Sequence, residues 1–590
     1  MCGITGWVSY RRNLTHEQAT LDAMTETMSC RGPDAAGTWT TPQAALGHRR
    51  LAVIDLPGGA QPMQIGDVVM VYSGEAYNFT ELREELIGKG ERFTTDSDTE
   101  VVLRGYLTWG AAVADRLNGM YAFAIWDGRT RELVMIRDRM GIKPFYFYPT
   151  ADGVLFGSEP KAIFANPLAK RVVGVDGFRE LFGFVKTPRN AFWEGMQEVE
   201  PGTIVTVSED GIRTRTYWRL ESKPHNDSLE DTVGHVRELL DDIVRRQLVA
   251  DVPRCVLLSG GLDSSAITAL AAAQLDEPVR SFAVDFVGQA ENFQPDELRS
   301  TPDTPYVHDV ADHVKTDHSD IVLDHGALSD PELRRKVVGA RDIPAGLGDM
   351  DASLYLLFKA IRGQSTVALS GESADEIFGG YRQFHDPEIQ RANFYPWLLL
   401  MRNMHRESSL APGLEKALDM RTFLIDNYNS AVAEVDRADG EDDFTHRMRV
   451  MSYLHLTRFV RILLDRKDRM SMAVGLEVRV PFCDHRLVEY VYNTPWSMKT
   501  YDGREKSLLR GATKDVLPQS VVQRVKSPYP STQDPQYVAD VTRQARALPA
   551  THPVFTLIKR SALDAGERHS MERILNLATW LDMYQPEMMF

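Results

Sequence analysis

The sequence predicts two successive domains, an α+β unit built on antiparallel sheets and then a doubly wound α/β unit. Three observations carry this expectation. The chain has 590 residues, too many for one ordinary core, so two large domains are the natural prior. Up to about residue 205 it reads as short β-like runs punctuated by glycine. Beyond about residue 232, apolar strands alternate with helices.

In the first unit, Val68 to Tyr72, Ala122 to Trp126 and Leu133 to Ile136 have strand composition. Helices are expected over about Thr80–Ile87 and Thr99–Tyr106. A polar stretch, Glu221 to Asp231, marks the linker. The expected units are therefore 2–205 and 232–530, joined by 206–231. In the second unit a helix over about Leu229–Leu248 precedes an apolar strand, Cys255–Leu258, a glycine turn and an Ala-rich helix from about Ser264. Further strands are expected at Ser281–Asp285 and Thr366–Leu369, the order of a doubly wound sheet. Helical stretches dominate after about residue 385, and 531–590 is expected to be a helical extension.

Composition narrows the function class. With 43% hydrophobic and 25% charged residues the chain is globular, not disordered. A net charge of −16 argues against a general nucleic-acid or anionic-membrane surface. The four cysteines, Cys2, Cys30, Cys255 and Cys483, have no metal-like spacing, so no disulfide framework or structural metal is expected, and a reducing cytoplasm suits them. The first residues lack a signal-peptide pattern, and no stretch reaches the roughly 18 apolar residues of a membrane helix. A homodimer is an allowed assembly that the sequence does not fix.

Cys2 follows the initiator Met1, and a small second residue normally permits removal of that methionine. The freed residue would carry a thiol and an α-amine together. A free thiol, with a pKa of about 8.5, is only a few per cent thiolate at neutral pH. The α-amine can serve through a water as its general base, an arrangement suited to attack on an amide carbonyl. Alone, a second-position cysteine is more often incidental.

Its neighbours change that balance. Cys30-Arg31-Gly32-Pro33-Asp34, Arg49-Arg50-Leu51-Ala52-Val53-Ile54-Asp55, Ser73-Gly74-Glu75-Ala76-Tyr77-Asn78 and Ser97-Asp98-Thr99-Glu100 follow in order. With the start Met-Cys-Gly-Ile, they closely resemble the class II glutamine amidotransferases, whose glutaminase domain has the αββα N-terminal-nucleophile fold. The resemblance implies that Cys2 is the nucleophile. It also implies that Arg50 holds the glutamine carboxylate, that Asp98 and Glu75 hold the ammonium group, and that Leu51, Val53, Ser73 and Gly74 complete the pocket. A cationic fork and an acidic acceptor are what an amino-acid head requires. One departure stands out. The family usually has Asn-Gly-Glu where this chain reads Ser73-Gly74-Glu75, so Ser73 is expected to fill the oxyanion role only in part.

Leu258-Ser259-Gly260-Gly261-Leu262-Asp263-Ser264-Ser265 follows an apolar strand and opens a helix. Small residues there let backbone N–H groups converge on an anion at a helix terminus. The Walker pattern is absent; the segment resembles the pyrophosphate loop of ATP pyrophosphatases. About a hundred residues on, Ser370-Gly371-Glu372-Ser373-Ala374-Asp375-Glu376 resembles the second loop of asparagine synthetases of the B type. That likeness implies ATP as cosubstrate, with Ser259, Gly260, Gly261 and Ser264 on pyrophosphate, and Leu258, Val284, Ser370 and Gly371 on the adenosine part. It further implies Mg²⁺ on Asp263 and Asp375, a hard-oxygen pair of the sort that ion takes. Glu372 would handle protons and Lys506, in Gly503-Arg504-Glu505-Lys506, would neutralise phosphate charge. The run Asp468 to Asp484 is another match, expected to be architectural.

Together the two halves imply a glutamine-dependent asparagine synthetase, with glutamine, ATP and an acceptor acid as partners, aspartate by default. Ammonia needs an apolar passage between the domains, and Arg31, Val53 and Met120 are candidates near its entrance. The alternative is the same chemistry on another carboxylic acid. A cyclase of β-lactam synthetase type and a non-catalytic sensor are weaker readings, given Cys2, Arg50, Asp98 and Lys506. In the expected acceptor region, Ala340 to Tyr355, Asp351 and its acidic neighbours either bind an ammonium group or cap a helix.

Overall fold

The computed structural model describes residues 2–296, 299–344, 346–401 and 409–590, so Met1 and Ala345 lie outside the described residues. Alternating apolar residues build two six-stranded sheets in the first unit. One runs Gln197–Glu198, Tyr146–Thr150, Gly153–Gly157, Gly3–Ser9, Ala44–Arg50, Ala35–Thr40, with antiparallel neighbours. The other runs Gly211–Thr216, Thr203–Ser208, Glu132–Arg137, Gly119–Asp127, Val68–Ala76, Met63–Ile65, also antiparallel.

The period of two sorts side chains into layers. Val69 and Val71 pack between the sheets with Ile4, Val8 and Phe156. Val68, Met70 and Tyr72 belong to the core under the helices Phe79–Gly88 and Asp98–Trp109. Behind the first sheet, Trp7 and Ala45 meet Leu21 and Met24 of the helix Gln18–Glu26. The result is four layers, αββα.

The sheet runs past residue 205. Gly211–Thr216 pairs with Thr203–Ser208, so part of the expected connecting segment 206–231 is edge strand. Its six residues are all exposed and include Arg213 and Arg215, which gives it the look of a linker.

The second unit has a five-stranded parallel sheet, ordered Asp317–Leu323, Arg280–Phe286, Arg254–Leu257, Val367–Leu369, Glu477–Arg479. Both faces are covered. Val256 and Leu369 join Val236, Leu240 and Ile267 of the helices Leu229–Gln247 and Leu262–Ala272. Cys255 and Ala368 join Leu354, Phe358 and Met470 of the helices Asp349–Arg362 and Val460–Met472. Strand order reverses between Arg254–Leu257 and Val367–Leu369, and the carboxyl ends of such strands frame a ligand crevice.

Beyond residue 530, the helices Pro535–Arg546 and Arg568–Tyr584 pack together, and Glu587–Met589 pairs in parallel with Val172–Gly174 of the first unit. The tail thus ties the two units. Among the described residues, no helix is long and apolar enough to cross a membrane.

Candidate active sites

The first site is built at the end of the Gly3–Ser9 strand. Cys2 is 7% exposed, its Sγ 3.9 Å from the Leu51 carbonyl, and burial pushes its thiol pKa up. Ser73 Oγ donates to the Cys2 carbonyl at 2.7 Å, and Arg31 Nε donates to the same oxygen at 3.2 Å. The one proton of the Ser73 hydroxyl is therefore engaged by the backbone of Cys2. Gly74 admits the Met120 carbonyl, which would lie 2.1 Å from a Cβ placed there. Asn in place of serine would lack that hydroxyl hold. Ser73→Asn is expected to lower glutaminase kcat about tenfold, or about 1.4 kcal/mol in barrier. Equal or higher turnover would refute this positioning role.

Glutamine-head candidates gather beside the thiol. Asp98 opens the helix Asp98–Trp109 and accepts from Tyr72 Oη and the Ala76 N–H, both at 3.0 Å. Glu75 is buried, and its Oε2 has no hydrogen-bond partner among the described residues. Burial raises both carboxyl pKa values, Glu75 further through nearby Glu477. Two acids in one dry pocket favour a cationic group between them. Arg50 ends the Ala44–Arg50 strand and donates to the carbonyls of Leu56 and Asp55 at 2.7 and 2.8 Å, which straps that loop. Leu51 is buried beside Cys2; Val53 and Met120 lie in the apolar cluster that also holds Leu258 and Leu369 of the second unit.

The second site occupies the crevice at the strand-order reversal. Leu258, Ser259, Gly261, Asp263, Ser264 and Val284 line it from one side. Ser370, Gly371, Glu372 and Asp375 line it from the other. Gly260, at φ +66°, lies close against Tyr306 and Val307: a Cβ there would be 2.7 Å from the Val307 nitrogen. The two loops touch at Gly371, where a Cβ would lie 2.8 Å from the Ser264 nitrogen. Ser259 and Ser264 brace the first loop, with Oγ atoms 3.0 Å apart.

Lys506 is 2% exposed and bridges the loops, its Nζ 2.6 Å from a carboxylate oxygen of both Asp263 and Asp375. Lys526 Nζ reaches Asp375 at 2.5 Å. Burial pushes Asp263 up; it would do the same to Asp375, but Lys506 and Lys526 hold that group down at about 2. The carboxylates thus converge on a point that already attracts positive charge. That hard-oxygen set fits Mg²⁺ together with phosphate.

Sequence reasoning missed Lys526 and Arg524. Arg524 lies over the Tyr306 ring at 4.0 Å, ion-pairs Asp303 and lines the cleft with Lys526. Their only signal is two cations in a short coil. In the expected acceptor region Asp351 sits in the first turn of the helix Asp349–Arg362, as the capping alternative has it. Asp351 Oδ2 accepts from the Leu347 N–H at 2.9 Å, and its other oxygen pairs with Arg466. Asp349 accepts from the Thr532 N–H at 2.6 Å and pairs with Arg568 of the tail. Both acids are thus consumed by protein partners, and the tail braces the segment that carries Tyr529 and Pro530 into the cleft.

Adjacent residues of the helix Val460–Met472 face both sites, so the run expected to be architectural joins them. Lys467 Nζ lies 3.0 Å from Glu372. Asp468 holds Arg31 at 2.8 Å and Lys143 at 3.1 Å, and Arg31 reaches Cys2. Breaking a buried ion pair costs about 3–5 kcal/mol, enough to shift this helix. Asp468→Asn is expected to raise the ratio of glutamate to AMP formed severalfold over the unaltered chain. A ratio that stays unchanged while both activities persist would exclude coupling through Asp468.

Comparison with known proteins adds the family. Residues 235–582 match the model for asparagine synthase, and residues 1–218 match that for a glutamine amidotransferase domain. A Bacillus subtilis protein, asparagine synthetase (glutamine-hydrolysing) 3, is 42% identical over 96% of this chain and 93% of its own. Asparagine synthetase (glutamine-hydrolysing) 1 of the same organism is 30% identical, over 90% of this chain and 87% of its own.

Proposed function

The chain belongs to the asparagine synthase family, and from that premise we propose that it makes asparagine from aspartate, with glutamine as nitrogen donor and ATP as cosubstrate. The observation that carries this reading is the convergence of Asp263, Asp375 and Lys506 where the two cleft loops meet.

Glutamine enters with its carboxylate toward Arg50 and its ammonium group between Asp98 and Glu75, whose free Oε2 supplies an acceptor. With Met1 removed, the α-amine of Cys2 takes the thiol proton through a water. The sulfur adds to the amide carbonyl, ammonia leaves, and water hydrolyses the thioester to glutamate. Gly74 backbone is the remaining candidate donor to the oxyanion, because Ser73 is engaged. In the cleft, a carboxylate oxygen of aspartate attacks the α-phosphorus of ATP and displaces pyrophosphate. Lys506 and Lys526 offset charge on the phosphates. Mg²⁺, held by Asp263 and Asp375, would polarise the phosphate oxygens. Ammonia, kept neutral along the apolar cluster that includes Val53 and Met120, attacks the acyl-AMP. Glu372 accepts the released proton, and AMP departs. The free cysteines, Cys2, Cys30, Cys255 and Cys483, suit a reducing cytoplasm.

The test is a screen of carboxylic acids, aspartate first, for glutamine-dependent AMP release with the product identified by mass. Aspartate is expected to give asparagine. Turnover with another acid and none with aspartate would replace the acceptor assigned here.

A further inference from the structure

Beside the nucleotide cleft lies a second cluster of ligating side chains that the synthetase chemistry does not use, and of these Asp320 reaches the cleft wall. His308 lies on the helix Thr304–Val314; His318 and Asp320 lie two residues apart on the edge strand Asp317–Leu323. One ligand atom from each falls within 4.8 Å of the others. His308 Nε2 is 2.8 Å from Asp320 Oδ2, and His318 Nε2 is 3.1 Å from Asp320 Oδ1.

We propose that His308, His318 and Asp320 form a binding site for a divalent transition-metal ion of the zinc type. Four-coordinate zinc, with bonds of about 2.0–2.1 Å to nitrogen and oxygen, sets neighbouring ligand atoms roughly 3.3 Å apart. The two nitrogen–oxygen separations, made to different oxygens of Asp320, lie near that value, and the three ligand atoms, within 4.8 Å of one another, draw together by at most about 1.5 Å to seat the ion. Two imidazoles and one carboxylate select zinc-like ions over Mg²⁺, which prefers oxygen. His318 also has the outer support common to metal-bound histidines: its Nδ1 is 2.8 Å from Ser281 Oγ, which fixes the ring. Exposure of His308 and Asp320 leaves the fourth position to water and provides an entry path.

The ion would clamp helix to strand beside the cleft. Thr304 and Val307 of that helix line the nucleotide cleft, as does Asp320 itself. Occupancy is therefore expected to change the KM for ATP, a consequence that rests on the cleft being the ATP site; the metal site does not.

Co²⁺, whose four-coordinate complexes absorb in the visible, is the probe, titrated into the full chain at saturating Mg²⁺. One equivalent should bind. His308→Ala should remove that signal, and Ser281→Ala should weaken binding about 10–100-fold. No stoichiometric binding, or an equal signal from His308→Ala, would overturn the site. Stoichiometric binding lost in His308→Ala, with an unaltered KM for ATP in the unaltered chain, would overturn the clamp alone.

Discussion

Cys2→Ala is expected to abolish glutamine-driven synthesis while added ammonia still supports it. The loss should be roughly 10⁴-fold or more, the scale seen when an attacking group is removed. The reasoning is local. Cys2 brings its thiol to the pocket shared by Ser73, Glu75 and Asp98, and its removal takes away the sulfur that forms the thioester. Cys2 does not line the cleft of the second unit, whose loops the substitution leaves in place. The measurement compares asparagine formed with glutamine and with ammonium salt at saturating ATP. Equal failure of both nitrogen sources would break the two-site scheme.

Lys506→Ala should do the reverse. It removes the cation shared by Asp263 and Asp375, both within 2.6 Å, and leaves Lys526 to hold Asp375 alone. Loss of one preorganised charge in a dry site typically costs about 10²–10³ in rate. Pyrophosphate release should fall by that factor while glutaminase turnover persists. Thermal unfolding of the variant shows whether it has kept its fold. Pyrophosphate release within a few-fold of the unaltered chain would remove Lys506 from the chemistry.

Much of this was legible because the signals are local. Val68 to Tyr72, Ser281 to Asp285 and the turn after Cys255–Leu258 each declare themselves within a few residues; the observed strands extend the first to Ala76 and the second by one residue at each end, and shift the third to Arg254–Leu257. The edge strand Asp317–Leu323 did not, since only Ile321, Val322 and Leu323 of its seven residues are apolar and its partner is supplied by distant chain. The same limit applies to charge. Asp349 and Asp351 could be read as caps or ligands, but Arg568 and Arg466, which neutralise them, lie over a hundred residues away. The sequence marks Ser73 only as a partial oxyanion donor; its contact with the Cys2 carbonyl is set by how two sheets stack. Lys526 carries no motif at all. It matters only because folding brings its coil against Asp375.

The central claim is that sulfur chemistry at Cys2 supplies nitrogen to a carboxylate that the Asp263–Lys506–Asp375 cleft has adenylated. Doubly labelled substrates test it in one reaction: glutamine with ¹⁵N in its amide, and aspartate with ¹⁸O in its side-chain carboxylate. The account predicts asparagine carrying the ¹⁵N and AMP carrying one ¹⁸O. ADP as the product, with ¹⁸O in inorganic phosphate, would contradict it, as would asparagine without the label from glutamine.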